Sequence, residues 1–152
     1  IKSSAASDVY KRQVVFIAVF MGLRQFVGGF HANSHLSCMF TLVMVMMVFS
    51  YGICNVSGHI TPIFSISFIM IALPIILCIA PVPHPNKPMS EEKSVKLRKR
   101  SCILAVTLSV VTIALLVFQY QKLSLYVSSG MLLSAIMALL GHFLNRGDNS
   151  KR

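Results

Sequence analysis

The sequence predicts an all-α integral membrane protein with about four transmembrane helices, preceded by a short interfacial or re-entrant segment. Of its 152 residues, 55% are hydrophobic and only 12% are charged, whereas soluble domains carry about 25% charged residues. The apolar residues form runs long enough to cross a bilayer. The chain is therefore too hydrophobic for a disordered protein and has too few charges to coat a soluble one.

Four apolar runs carry the predicted spans, and each lacks internal charge over most of its length. The spans are expected at residues 37–54, 60–82, 102–118 and 123–143. The second contains Pro62 and Pro74, which transmembrane helices tolerate. The third and fourth are joined by a tight connection at residues 119–122.

These spans define one membrane domain at residues 14–143, followed by a polar tail at 144–152. Residues 1–13 are polar and lack the apolar centre of a signal peptide, so we expect a non-native or disordered leader. The apolar run at residues 14–23 is too short to span a bilayer.

Basic residues predict the orientation of the domain. The loop at residues 83–101 holds six Lys or Arg and should lie in the cytoplasm by the positive-inside rule. If the spans alternate, residues 1–38 and the tail are also cytoplasmic, and Lys122 is the one basic residue outside. The net charge of +10 is thus explained by membrane topology, and no nucleic-acid partner is expected.

A polar stretch at residues 24–38 (RQFVGGFHANSHLSC) could carry chemistry. A Cys thiolate with a neighbouring His as general base is the minimum for a cysteine nucleophile. In a continuous helix, His35 lies within reach of Cys38, whereas His31 lies about 10 Å away along the axis. His31 becomes the base if the backbone between the two residues is not helical, and Gly28 and Gly29 could supply such a break.

Two other interpretations of the same residues remain open. His31, His35 and Cys38 could bind a metal from one helix face, although residues 9–90 contain no carboxylate to support the ligands. They could also only pack or snorkel at the membrane interface. The remaining cysteines, Cys54, Cys78 and Cys102, lie in or beside apolar runs and are expected to be small buried hydrophobes.

Two motifs in the right order resemble the accessory gene regulator B family, whose members are membrane cysteine endopeptidases of bacterial quorum sensing. The first motif is Arg24, then Gly28-Gly29-Phe30-His31-Ala32, then Cys38. The second is the segment from Ala80 to Ser101, with its A-P-V and N-K-P elements and its basic run. The resemblance covers about residues 14–143, and it implies an N-terminal truncation, because the family has more sequence before the first motif.

The resemblance implies that His31 and Cys38 are the catalytic pair and that Arg24, Gly28 and Gly29 support them. His31 is thereby favoured over His35, and the backbone between His31 and Cys38 should be broken. No cofactor and no metal are implied.

The implied reaction is removal of the C-terminal tail of a signal-peptide precursor, followed through an acyl-enzyme by thiolactone or lactone cyclisation. The implied partners are a precursor with an amphipathic leader and an acidic tail, the lipid bilayer, and a second copy in a homodimer. The implied location is the bacterial cytoplasmic membrane, with the catalytic residues on the cytoplasmic side. We expect the basic run of the 83–101 loop to attract the acidic tail. Its members are Lys93, Lys96, Arg98, Lys99 and Arg100.

The competing functions are a small transporter or channel subunit and a scaffold subunit without catalysis. Four spans fit either function. Ion and substrate pathways usually place charges within the membrane, however, and the last three spans carry none. A reactive Cys38 would favour the enzyme, and an inert Cys38 would favour either competitor.

Overall fold

A computed structural model describes residues 2–27, 60–80 and 90–149, together with residues 40, 43–45, 47, 48, 51 and 52. Its four long helices are α1 (Lys2–Val27), α2 (Thr61–Ile79), α3 (Glu91–Val117) and α4 (Gln121–Asn149). No strand occurs among the described residues. Helices α2, α3 and α4, the last over Gln121–Phe143, are long and apolar enough to cross a membrane. The all-α membrane fold is therefore confirmed.

The helix bounds differ most from expectation at the start of α3. The helix begins at Glu91 and thus includes half of the basic loop predicted at residues 83–101. Ser90 has the extended backbone of an N-cap residue, although its side chain makes no capping bond. Glu91 and Glu92 in the first turn complement the helix dipole. The expected span at 37–54 lies largely outside the described residues.

Helix α1 is one continuous helix over residues that were expected to form two separate segments. It runs for 26 residues and includes both residues 2–13, expected as a leader, and the short apolar run at 14–23. No Pro occurs in it, and its first Gly is Gly22, so nothing ends the helix at residue 13. At 1.5 Å per residue it is about 39 Å long.

Helix α4 lies at the centre of the bundle. Of its apolar window, 67% is buried, against 22% for α2 and for α3. Its buried positions are small or polar for the most part, including Ser124, Ser128, Gly130, Ser134 and Ala138. Small residues let helix backbones approach closely in a membrane.

Helix α3, like α4, places small and polar side chains on its buried side. Its buried residues are Ser101, Ala105, Ser109 and Thr112. Its exposed residues are large and apolar, for example Ile103 at 66% and Val110 at 60% exposure. Water would favour the reverse arrangement. A helix whose outer side contacts lipid gains packing by turning its small side chains inward.

Buried hydroxyls in the bundle are satisfied mostly within their own helices. Ser109 Oγ donates to the Ala105 carbonyl at 2.8 Å, and Ser134 Oγ donates to the Gly130 carbonyl at 3.0 Å. Ser124 Oγ instead donates across to the Thr112 carbonyl of α3 at 3.3 Å. These bonds satisfy polar side chains at close helix contacts, whereas the buried Ser65 Oγ of α2 has no hydrogen-bond partner among the described residues.

The connection between α3 and α4 is as tight as predicted. The Tyr120 N–H donates to the Leu115 carbonyl at 2.8 Å, and the Gln119 N–H donates to the Leu116 carbonyl at 3.1 Å. This is the Schellman pattern of a helix C-terminus. Gln119 takes the left-handed conformation, with φ of 66°, where glycine is usual. The turn makes α3 and α4 antiparallel neighbours.

Two buried clusters follow one another along the bundle and fix the direction of α1. The first contains Phe16 and Phe20 of α1 with Leu125, Tyr126 and Leu133 of α4. The second includes Leu23 and Val27 of α1 with Met131, Ala135 and Ala138 of α4. Both helices pass from the first cluster to the second in chain order. Helix α1 therefore runs parallel to α4.

Gly130 sets the distance between α1 and α4. A methyl group there would lie 3.1 Å from Val19 Cγ1 and 3.3 Å from the Phe16 carbonyl oxygen. The second contact is with backbone, which yields less readily than a side chain. Gly130 begins a series with Ser134 and Ala138 at four-residue spacing, the small-residue pattern of close membrane helix pairs.

We predict that Gly130→Val lowers the free energy of unfolding by about 1–3 kcal/mol, because added methyl groups overpack the seam between α1 and α4. The measurement is thermal unfolding of the purified protein in detergent micelles. Gly22→Val is the matched control, since a methyl group at Gly22 has no atom within 4 Å, and it should change stability by less than about 0.5 kcal/mol. Equal losses in the two variants would contradict the close approach.

Candidate functional site

At one end of the bundle, here called the basic end, residues from all four helices pack together. Val27 at the end of α1, Ala80 just after α2, Ala105 of α3 and Ala138 of α4 belong to one buried cluster. The charged first turns of α3 precede Ala105 along the same helix. The Gly28–Cys38 segment follows Val27 directly. The structure therefore places Val27, the residue that precedes this segment, at the basic end.

The predicted catalytic residues themselves lie outside the described residues. These are His31 and Cys38, and the same holds for His35 and for the supporting Gly28 and Gly29. The choice between His31 and His35 as base stays a prediction, as does the broken backbone. Within the described ranges, no group of three His, Cys, Asp or Glu is placed to hold a metal ion.

Arg24 is described and lies in the last turn of α1. Its side chain is half-buried, and the guanidinium carbon lies 5.7 Å from the centroid of the Phe20 ring. This is a cation–π distance, and such contacts stabilise by about 0.5–2 kcal/mol depending on solvent access. Phe20 is 1% exposed, so the ring that holds Arg24 is itself fixed in the core. Arg24 is thus more constrained than a simple interfacial anchor.

The five predicted tail-binding residues lie on the first three turns of α3. All are exposed: Lys93, Lys96, Arg98, Lys99 and Arg100. The half-buried Ser94 and Leu97 and the buried Ser101 mark the inner side of these turns. The five cations therefore lie on a rigid helix, where the sequence had suggested a loop. The signal for this was present in the sequence, since Glu, Lys, Leu and Arg are all strong helix formers.

Orientation is the one point where the structure corrects the expected topology. The whole of residues 1–38 was expected on the side of the basic loop. Because α1 is parallel to α4 and Phe16 packs with Leu125 and Tyr126, its earlier residues extend toward the opposite end, where α3 and α4 connect. Lys11 and Arg12 lie on that stretch. The expectation failed because only ten apolar residues were counted there, while the helix is 26 residues long.

The cysteines are a second correction. Cys78 is exposed and Cys102 is half-buried, and both are free thiols, so the prediction that Cys78 is buried is wrong. An apolar run predicts membrane insertion, but it does not say which side of a helix contacts lipid. Cys54 lies outside the described residues. A thiol probe aimed at Cys38 therefore requires Cys78 and Cys102 to be replaced first.

Sequence reasoning missed the residues that position the motif. Phe16, Phe20, Leu23 and Val27 are all fully buried, at spacings of four, three and four residues. That spacing is the signal of one buried helix stripe. It was overlooked because residues 14–23 are apolar at nearly every position, which hides the periodicity.

Comparison with known families gives one match. The model of the family AgrB, accessory gene regulator B, matches residues 4–138, which include both sequence motifs, all of α2 and α3, and most of α1 and α4. No curated protein and no solved structure matches the chain. The match begins ten residues before the boundary expected at residue 14, in agreement with the continuous helix α1. This all-α membrane protein belongs to the accessory gene regulator B family.

Proposed function

We propose that the protein is a membrane cysteine endopeptidase that removes the C-terminal tail of a quorum-sensing signal-peptide precursor. It then promotes thiolactone or lactone closure of the remaining peptide. The observation that carries the proposal is the convergence at the basic end. Val27, the residue before the segment with His31 and Cys38, packs there with Ala105 of α3, the helix whose preceding turns carry the exposed cations, and the chain belongs to the matching family.

In the proposed first step, the Cys38 thiolate attacks the carbonyl carbon before the tail. His31 takes the thiol proton and returns it to the leaving amine as the C–N bond breaks. The tail departs and a thioester to Cys38 remains. A Cys or Ser of the precursor then attacks the thioester, His31 takes its proton, and Cys38 leaves as the thiolate.

Arg24 supports this step as a positioning residue in the proposal. It lies four residues before Gly28 and is held by the buried Phe20 ring. A cation held in place at the last turn of α1 would stabilise the backbone at the junction between α1 and the Gly28–Cys38 segment. Gly28 and Gly29 would provide the change in backbone direction there.

The precursor's charge distribution fits the same end of the bundle. An amphipathic leader would lie in the membrane interface, and an acidic tail would be attracted by the cations of α3. The proposal places this end in the cytoplasm, in agreement with the positive-inside rule. The working assembly in the proposal is a homodimer in the bacterial cytoplasmic membrane.

Replacing the proposed nucleophile should abolish processing. We predict that Cys38→Ala and His31→Ala each reduce loss of the precursor's tail by at least about a thousandfold, the scale of a missing nucleophile or base. The measurement is co-expression with precursor peptides encoded nearby, read by mass spectrometry. His35→Ala is the matched control and should retain processing. Tail loss in Cys38→Ala at the wild-type rate would refute the cysteine mechanism.

Neutralising the exposed cations of α3 should weaken precursor binding. We predict that changing Lys93, Lys96, Arg98, Lys99 and Arg100 to Gln raises KM by about tenfold at low salt and leaves kcat within about twofold, since each exposed pair contributes less than about 1 kcal/mol. The measurement is steady-state processing by the purified protein in vesicles, with its insertion direction verified.

Two controls separate tail attraction from other effects. Lys122→Gln, at the opposite end of α4 from the basic end, should leave KM unchanged. A precursor whose acidic tail residues are neutralised should have a high KM already, and it should lose nothing further with the α3 variant. An equal effect on both precursors would refute tail attraction.

A further inference from the structure

Helix α3 carries a continuous exposed stripe that changes from basic to apolar along its length. Its members are spaced alternately by three and four residues, so they share one side of the helix. In order they are Lys96, Lys99, Ile103, Val106, Val110, Ile113 and Val117, and all are exposed. The buried residues of α3 lie on the other side, against α2 and α4.

The apolar part of the stripe has the length of a bilayer's hydrocarbon core. From Lys99 to Val117 there are 18 residue steps, or about 27 Å of helix, against about 30 Å for the core. Tyr120, 63% exposed, follows at the far end, where aromatic residues sit at membrane interfaces. Lys99 and Lys96 are therefore at headgroup depth on the opposite interface.

The charges on this stripe are arranged asymmetrically. Lys96 and Lys99 are the last charged members of the stripe, and the exposed Arg100 lies beside them, four residues after Lys96 and three before Ile103. Glu92 lies one turn earlier on the same side, farther from the bilayer. Lys93 lies one turn before Lys96, at the edge of the stripe and farther from the bilayer, and Arg98 lies on another side of the helix. Lys96, Lys99 and Arg100 thus lie immediately beside exposed apolar residues, where a lipid presents its phosphate beside its acyl chains.

We propose that this stripe binds an anionic phospholipid. The headgroup phosphate would lie between Lys96 and Lys99, and an acyl chain would follow Ile103, Val106 and Val110. The inference does not depend on the proposed peptidase function, because it concerns a surface of α3 and a ligand already present in the membrane. It gives Lys96 and Lys99 a partner distinct from the acidic precursor tail.

The test is a lipid titration of the purified chain in detergent micelles without any peptide. Native mass spectrometry would measure the binding of a short-chain phosphatidylglycerol, with phosphatidylcholine of the same chain length as the neutral reference. We expect the wild type to prefer phosphatidylglycerol. Lys96→Gln with Lys99→Gln should weaken that binding by about 30-fold, from about fivefold for each basic residue at an anionic surface.

Matched variants make the result specific. Lys96→Arg with Lys99→Arg keeps both charges and should bind within about threefold of the wild type. Lys93→Gln with Arg98→Gln removes the same number of charges from positions that are not members of the stripe, and this variant should also bind within about threefold of the wild type. All of these positions are exposed, so the folded core is not altered, and circular dichroism should show equal helix content.

Three outcomes would overturn the proposal. The first is no preference for phosphatidylglycerol in the wild type, as expected if a second copy of the chain covers the stripe. The second is an equal loss in the Lys93 and Arg98 variant, which would show an effect of total charge alone. The third is undiminished lipid binding in the Lys96 and Lys99 variant, whatever that variant does to precursor processing.

Discussion

The close approach of α1 to α4 at Gly130 is the contact on which the arrangement of this protein depends. A Cβ at Gly130 would lie only 3.3 Å from the Phe16 carbonyl oxygen and 3.1 Å from Val19 Cγ1, so the neighbouring atoms would have to move slightly to accept any side chain. That proximity lets Phe16, Phe20, Leu23 and Val27 pack fully into the bundle. It also fixes the position of Val27, the last described residue of α1. The placement of Val27 at the basic end follows from this seam.

The bilayer as solvent explains why the bundle is built from small side chains. Lipid tails are as apolar as Val or Ile, so burying such residues gains little, and helices associate through close packing. Ser, Ala, Thr and Gly accordingly occupy the inner positions of α3 and most of those of α4, while the Ile and Val side chains of α3 lie outside. Most of these hydroxyls donate to carbonyls of the preceding turn, as Ser134 does to Gly130, while Ser124 donates across to Thr112.

Composition and charge placement were sufficient to predict the fold class, three of the membrane helices and the tight connection near Gln119. The same information was not sufficient for α1, because an unbroken apolar run such as residues 14–23 shows no periodicity and hides which side is buried. The helical start of α3 was signalled by Ser90, Glu91 and Glu92, although basic charge alone suggested a loop.

The candidate site, too, was predictable from the sequence only in part. Arg24 and the cations of α3 were identified from the sequence, and the structure gives them definite positions: Arg24 against Phe20, and the cations exposed on a rigid helix. His31 and Cys38 rest on motif resemblance and family membership, and their pairing stays a prediction. Which side of a helix meets lipid, as at Cys78, depends on tertiary packing and is not encoded in a uniformly apolar run.

The central claim is that α1 runs parallel to α4 with Val19 against Gly130, and a cysteine cross-link tests it most directly. A Cβ at position 130 would lie 3.4 Å from Val19 Cβ, close to the separation of about 3.5–4.5 Å found in disulfides. With the native cysteines replaced, Val19→Cys with Gly130→Cys should form an intramolecular disulfide in membranes under mild oxidation. Gly22→Cys with Gly130→Cys should not. No cross-link in the first pair, or an equal yield in both, would contradict the account.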